Sequence, residues 1–363
     1  MQPAVNTLGP GELAHLLWAF ERGIDPPEEL LEPLPLVAVE DGQALLGDSR
    51  SLAVSFPLIV VVVGAGTGFK DRDDRDGPYD VALSETVSSP RAPWVRVGDL
   101  HTALHQLASN VAKAPLAAVT FIQLLRATAG ASLQQGLAAE SLAYSTLQGA
   151  SEHGEWLASR RGIKARLSPS DIQSEPPVVA TRSGGVLRVE LNRPRVHNAY
   201  NSSMRDALCE VLSVAAVDTS TSLHLSGRGQ SFCSGGDLFE FGSCRNPALG
   251  HLIRTRRSPA RLLAALSDRT RAVVHGYCAG SGLELAAFAS SVVADGDVTI
   301  WLPEISMGLI PGAGGTVSIP RRVGRSRAAW LGLSGERIST STAVAWGLVD
   351  GWLTQNASSG GSL

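Results

Sequence analysis

Apolar and polar positions alternate in two different styles along this chain. After residue 185, short runs of strand-like character are each followed by a glycine turn and a helical repeat. Residues 186–191 alternate like a strand, and 201–216 carry helical spacing with Ser202 or Ser203 as cap. Residues 222–226 form a short strand that ends in a glycine turn. Residues 259–266 read as helix, 272–276 as strand, 282–289 as a small-residue helix, and 291–301 as strand. Asp237, with Glu240 following in the third position after it, has the pattern of a capping box opening a helix. Repeated strand–turn–helix units predict α/β architecture.

The first half is less regular. Residues 12–22 form an amphipathic helix, and 36–40 and 56–63 read as strands, the second buried. Residues 99–127 and 133–161 are long and helical. Residues 70–80, opening Lys-Asp-Arg-Asp-Asp-Arg-Asp, read as a solvated acidic loop. A Pro/Ser-rich stretch, 168–185, reads as a linker. The expected organisation is an N-terminal α/β region rich in helix (1–167), the linker (168–185) and a core (186–363).

With 363 residues, two domains are expected over one. Hydrophobic residues make up 44% and charged residues 18%, the balance of an ordinary globular protein. A net charge of −3 gives no reason to expect nucleic acid or an acidic membrane surface. The four cysteines form no CxxC pair and no zinc spacing with histidine, so no metal is expected. The N-terminus does not read as a signal peptide, and the longest apolar run, 56–64, is too short to span a bilayer. A reduced, cytoplasmic protein is the simplest expectation.

The candidate chemistry sits at glycine turns. Glu284 ends Gly276-Tyr-Cys-Ala-Gly-Ser-Gly-Leu-Glu284, and Glu304 precedes Pro311-Gly-Ala-Gly-Gly-Thr316. The strand 291–301 between them could bring both carboxylates to one pocket. A third turn is Ser231-Phe-Cys-Ser-Gly-Gly-Asp237. Paired carboxylates beside exposed backbone N–H groups suit proton transfer next to a polarised carbonyl. Cys233 and Cys278 lie in apolar contexts and read as small core residues. His275 reads as a structural hydrogen-bonding residue, and His197 as loop packing.

Several ordered blocks resemble the enoyl-CoA hydratase/isomerase (crotonase) superfamily. They are Leu191-Asn-Arg-Pro-Arg-Val-His-Asn-Ala199, the three turns above, Arg322-Val-Gly-Arg325, Leu333-Ser-Gly-Glu-Arg-Ile338 and Ala345-Trp-Gly-Leu-Val-Asp350. The resemblance implies a crotonase-like ββα spiral and an acyl-CoA thioester ligand, with coenzyme A as part of the substrate and no separate cofactor. It places the carbonyl-polarising N–H groups at Gly236 and Ser281, the latter usually glycine in the family. It implies that Glu284 handles the attacking water and Glu304 the proton at Cα. Contacts to the thioester are implied from Arg195, Val196, Ser234, Gly235, Asp237, Leu238, Gly280 and Gly312. Isomerases of the family commonly keep only the carboxylate at the Glu304 position, so having both favours a hydratase. An isomerase and a non-catalytic acyl-CoA-binding subunit are the alternatives.

Family members normally carry covering helices after the core. Here residues 104–166 are similar to them instead, including Gly136-Leu-Ala-Ala-Glu-Ser141. The expectation is a degenerate tandem or permuted crotonase whose N-terminal helices dock on the core, in a homo-oligomer such as a trimer or hexamer.

Overall fold

The computed structural model describes residues 5–32, 34–40, 52–64, 77–86, 93–161 and 175–353. The first strands are β1 (Asn6–Leu8), β2 (Leu36–Val39), β3 (Ile59–Val63), β4 (Val81–Ser84) and β5 (Trp94–Arg96). They form a parallel sheet whose spatial order follows chain order. Both of its faces are covered, which is why β2 and β3 read as continuous apolar runs. Val37, Val60, Val62 and Ala82 face α1 (Pro10–Phe20) through Leu13 and Leu17. Their alternating neighbours Leu36, Ile59, Val61 and Leu83 join the large core shared with the rest of the chain.

After the short α2 (Glu28–Leu31), four helices follow the sheet: α3 (Leu100–Lys113), α4 (Pro115–Thr128), α5 (Leu133–Gln148) and α6 (Ser151–Ser159). The apolar stretch 99–127 is therefore two helices. Pro115 suits the first position of a helix but not its interior, and the axes bend by 107° there. The Glu152 carboxylate accepts from Leu116 N (2.7 Å) and Ala117 N (3.0 Å), capping α4. Among the described residues no single helix is long and apolar enough to cross a membrane.

The second sheet holds β6 (Val178–Ser183), β7 (Val186–Leu191), β8 (Ser222–Gly227), β9 (Thr270–Ala279), β10 (Ser291–Trp301) and β11 (Gly351–Trp352). Its order is β11-β10-β9-β8-β7-β6; β6 and β7 pair antiparallel and the rest parallel. The expected linker is corrected here. Residues 178–183 are an edge strand whose polar side chains point away from the core, and residues 162–174 lie outside the described residues. The remaining helices are α7 (Ser202–Val217), α8 (Pro247–Arg256), α9 (Pro259–Ala265), α10 (Ser281–Ala286), α11 (Gly315–Val323), α12 (Arg325–Ser334) and α13 (Thr340–Trp346). Asn201, not Ser202 or Ser203, caps α7 by accepting from Met204 N.

Helix α12 is the seam between the halves. Ser326 Oγ accepts from Ala82 N at 3.0 Å, Arg325 donates to Tyr79 O at 2.9 Å, and Arg327 donates to Trp94 O at 3.2 Å. Gly332 lets α4 seat closely, since a Cβ there would lie 2.4 Å from the Phe121 ring. Asp80 departs from the solvated reading of residues 70–80. It is buried, pairs with Arg126 at 2.6 Å and meets Arg325 at 3.4 Å. Residues 70–76 of that stretch lie outside the described residues. Further along, α5 packs on α8, α9 and α11, so the N-terminal helices cover the core of their own chain.

Candidate active site

A cavity of about 400 Å³ opens where α5 and the α8–α9 corner meet α10 and the 312–314 turn. Glu284, Glu304, Gly236, Ser281, Asp237 and Gly312 all line it. Glu284 sits in the first turn of α10, 2% exposed, and its Oε2 accepts from Ala313 N (2.6 Å) and Gly315 N (2.8 Å). Its Oε1 accepts from no described residue. Glu304 opens the 3-10 turn Glu304–Met307 directly after β10 and is also buried. Its Oε1 lies against Gly280, and its Oε2 has no hydrogen-bond partner. Gly280 is fixed as glycine twice over. Its φ is +45°, and a Cβ would fall 2.4 Å from Glu304 Oε1.

A third carboxylate completes the cluster. Glu140, on α5, accepts from Gly314 N (2.7 Å), Thr316 N (3.0 Å) and Thr316 Oγ1 (2.7 Å). Successive amides of the 313–316 turn thus alternate, with Ala313 and Gly315 serving Glu284 and Gly314 and Thr316 serving Glu140. Sequence reasoning quoted Glu140 within a covering-helix block but did not assign it to the site. The signal available was its spacing. It lies four positions after Gly136, which packs on Val317 of α11, so an acid stands on a face of small buried residues.

Burial is the main force on all three acids. It raises Glu304 to about 8, with the Glu140 charge adding to the rise. It raises Glu140 to about 7 against the hydrogen bonds from Thr316 and Gly314. Glu284 is lifted well above the carboxylate range, by burial first and then by Glu304 and Glu140, while its two backbone donors oppose the rise. The cluster therefore holds protons at neutral pH.

Gly236 and Ser281 line the same cavity, Ser281 on the same helix as Glu284. The bridge between Tyr200 and Gly236 uses the N–H groups of Tyr200 and Asp237 and passes over that of Gly236. Ser281 is the first residue of α10, where a helix leaves its N–H without an internal partner. Its Oγ is buried with no hydrogen-bond partner, so the departure from glycine adds a polar atom at this wall.

Asp237 corrects the capping-box reading. No helix follows it. It pairs with Arg193 at 3.0 Å and accepts from Phe239 N at 3.2 Å. Glu240 instead accepts from Ser202 N (2.8 Å) and Ser202 Oγ (2.7 Å), because the open N-terminus of α7 is the nearer unsatisfied donor set. Arg195 and Val196 lie in the 3-10 turn Pro194–Val196, Arg195 exposed. They, Ser234, Gly235, Leu238 and Gly280 are not among the residues that line the cavity. Cys233 and Cys278 are buried free thiols that burial raises, Cys233 to about 11, and among the described residues no group of acids, histidines and cysteines is arranged to hold a metal. His275 Nε2 lies 3.0 Å from Gly229 O, and His197 Nδ1 lies 2.9 Å from Ser231 Oγ.

The roof comes from the first half. Tyr144 of α5 covers Gly312, whose Cβ would lie 2.4 Å from the ring. Trp156 of α6 meets Phe241 edge-on at 5.5 Å beside the Gly236 turn.

Three buried carboxyls, all pushed toward the protonated form, thus share one cavity with Gly236 and Ser281 on a crotonase-like α/β core. The enoyl-CoA hydratase/isomerase family matches residues 181–357. The chain is 38% identical to the 2,3-dehydroadipyl-CoA hydratase of Escherichia coli K12, over 47% of this chain and 67% of that protein. It is 36% identical to the 1,2-epoxyphenylacetyl-CoA isomerase of the same organism, over 46% of this chain and 65% of that protein. An enoyl-CoA hydratase structure from Thermoplasma volcanium GSS1 matches at 33% identity and TM-score 0.46, covering 49% of this chain and 72% of that one. The chain belongs to the enoyl-CoA hydratase/isomerase family. It spans about two thirds of the length of these curated relatives. Helix α5, the one helix of the first half that lines the cavity among the described residues, precedes the matched stretch.

Proposed function

We propose that this protein hydrates a trans-2-enoyl-CoA thioester. One observation carries the reading: Glu284 and Glu304, both buried and both lifted in pKa, share a cavity with the free amides of Gly236 and Ser281. The thioester oxygen would accept from those two amides, which are in place before charge develops; each such donor is worth about 3–4 kcal/mol in the transition state. Glu284, anchored through Oε2, keeps Oε1 for a water. The reacting form is the one in which Glu284 is the ionised member, its charge favoured by the Ala313 and Gly315 N–H groups; the water adds its oxygen to Cβ and gives a proton to that carboxylate. Glu304, protonated at neutral pH, gives a proton to Cα, and exchange between the carboxyls restores the starting state. No separate cofactor enters this scheme.

A second reading, double-bond isomerisation, is favoured by the unpartnered Oε2 of Glu304. In that case Glu304 alone moves the proton between carbons. The assay is loss of the conjugated enoyl-thioester absorbance with crotonyl-CoA and longer trans-2-enoyl esters. Glu284→Gln and Glu304→Gln should each lower turnover roughly 10²- to 10⁴-fold. Conversion of a 3-enoyl ester that survives Glu284→Gln, without hydration by the native protein, would select the isomerase.

A further inference from the structure

Arg254 is a charged group placed in the cavity wall with neutral company. Its Nε donates to Ser141 Oγ (3.3 Å), its Nη1 to Gln148 Oε1 (3.1 Å), and its Nη2 to Ser141 O (3.3 Å) and to Ser145 Oγ. The guanidinium lies over the Tyr144 ring, 4.5 Å from its centre. No described carboxylate is within ion-pair reach of it. The one whose field reaches it is Glu140, and both Glu140 oxygens are committed to Gly314 and Thr316. Burial already works against its charge. A guanidinium drawn out of water with only uncharged acceptors lacks a counter-charge, and its planar fork is held rigid.

It is not isolated. Arg257 and Arg261, at the α8–α9 corner, line the same cavity, and neither forms an ion pair among the described residues. Arg205 of α7 also lines it and pairs with Asp206 at 2.9 Å. Tyr144 separates this basic wall from the glutamates, with Arg254 on its ring and Gly312 against it. The cavity is therefore polarised. A thioester carbonyl fits at the Gly236 and Ser281 amides, and an anion fits beside Arg254, on the other side of Tyr144 from Gly312.

We infer that this wall is a carboxylate-binding subsite, so the acyl group of the substrate ends in a carboxylate. The acid would complete a charge-assisted hydrogen bond with the one Arg254 N–H left without an acceptor, on Nη1, and Arg257 and Arg261 would draw it in. This rests on the acyl-thioester reading of the glutamate end.

The test compares trans-2-enoyl-CoA esters of matched length that end in a methyl group or in a carboxylate. The expected result is a preference for the carboxylate-ended series of roughly 10- to 100-fold in kcat/KM, the worth of one hydrogen-bonded charge pair. Arg254→Gln should collapse that preference. Arg254→Lys should keep part of it, and the exposed pair Arg257→Gln with Arg261→Gln should weaken it without disturbing the fold. Equal use of both series by the native protein overturns the inference. So does an equal fall on both series in Arg254→Gln, or a matching loss of affinity for free coenzyme A, which would assign the arginines to the nucleotide phosphates. If no ester turns over, calorimetric binding of the two series reads the same preference. In that event the hydratase reading fails separately from this one.

Discussion

Glu140→Gln separates a structural acid from one that shapes the reaction. The carboxylate holds three donors with two oxygens: Gly314 N on one, and Thr316 N with Thr316 Oγ1 on the other. An amide keeps one oxygen. Placed toward Thr316, it presents an NH₂ group to Gly314 N and leaves that buried donor unsatisfied. The expected loss of stability is about 1–3 kcal/mol, the cost of one orphaned buried donor. The alternating turn also carries Ala313 N and Gly315 N to Glu284, so a shifted turn moves that carboxylate. A displacement near 1 Å costs roughly 10²-fold in rate. Removing the Glu140 charge also lowers the pKa of Glu284 and Glu304, both of which it raises. The pH–rate profile should therefore move to lower pH. Thermal unfolding, turnover of crotonyl-CoA and its pH profile read all three. A variant with native melting temperature, native rate and an unmoved profile would refute the reasoning.

The carboxyl cluster should also make stability pH-dependent. Folding raises Glu140 to about 7 and Glu304 to about 8, so the folded state holds more protons than the unfolded chain from the ordinary carboxylate range up to about pH 8. Their contribution is complete below that window and lost as pH rises through it. The melting temperature should fall between pH 5.5 and 8.5, and less steeply in Glu304→Gln; equal slopes in the two proteins would count against the shift. At the seam, Asp80→Ala leaves the Arg126 side chain, 2% exposed, without its counter-charge. A cost of about 3–5 kcal/mol is expected in urea unfolding, and a loss below about 1 kcal/mol would show that the carbonyls of Phe56 and Leu58 suffice.

The core was legible where period and chemistry agree. The runs 186–191 and 291–301 stand as β7 and β10 with the same bounds, because alternation and flanking glycine turns leave one reading. The two glutamates were legible because each sits behind a glycine turn. What escaped depends on contacts far apart in sequence. Asp80 looks like the tail of a solvated acidic run until Arg126 and Arg325 are brought to it. Glu240 fits a local capping box until α7 offers a better set of donors. Residues 178–183 are polar enough for a linker, and only pairing with β7 makes them a strand. Glu140 is one acid in a helical face, and its role appears only when the 313–316 turn lies across it.

The order of the chain has a consequence for how it is made. The first sheet closes against α12, through contacts such as that of Ala82 with Ser326, 244 positions apart. At ribosomal speeds of about 5–20 residues per second, that sheet waits roughly 10–50 s for its partner helix to emerge. Over that interval Leu36, Ile59, Val61 and Leu83, all fully buried in the finished protein, have no covering surface from the second half. Such distant pairing slows folding and leaves the nascent chain open to aggregation. A protein built this way depends on help during synthesis more than its size alone suggests, and expression at low temperature or with added chaperones should raise the soluble yield.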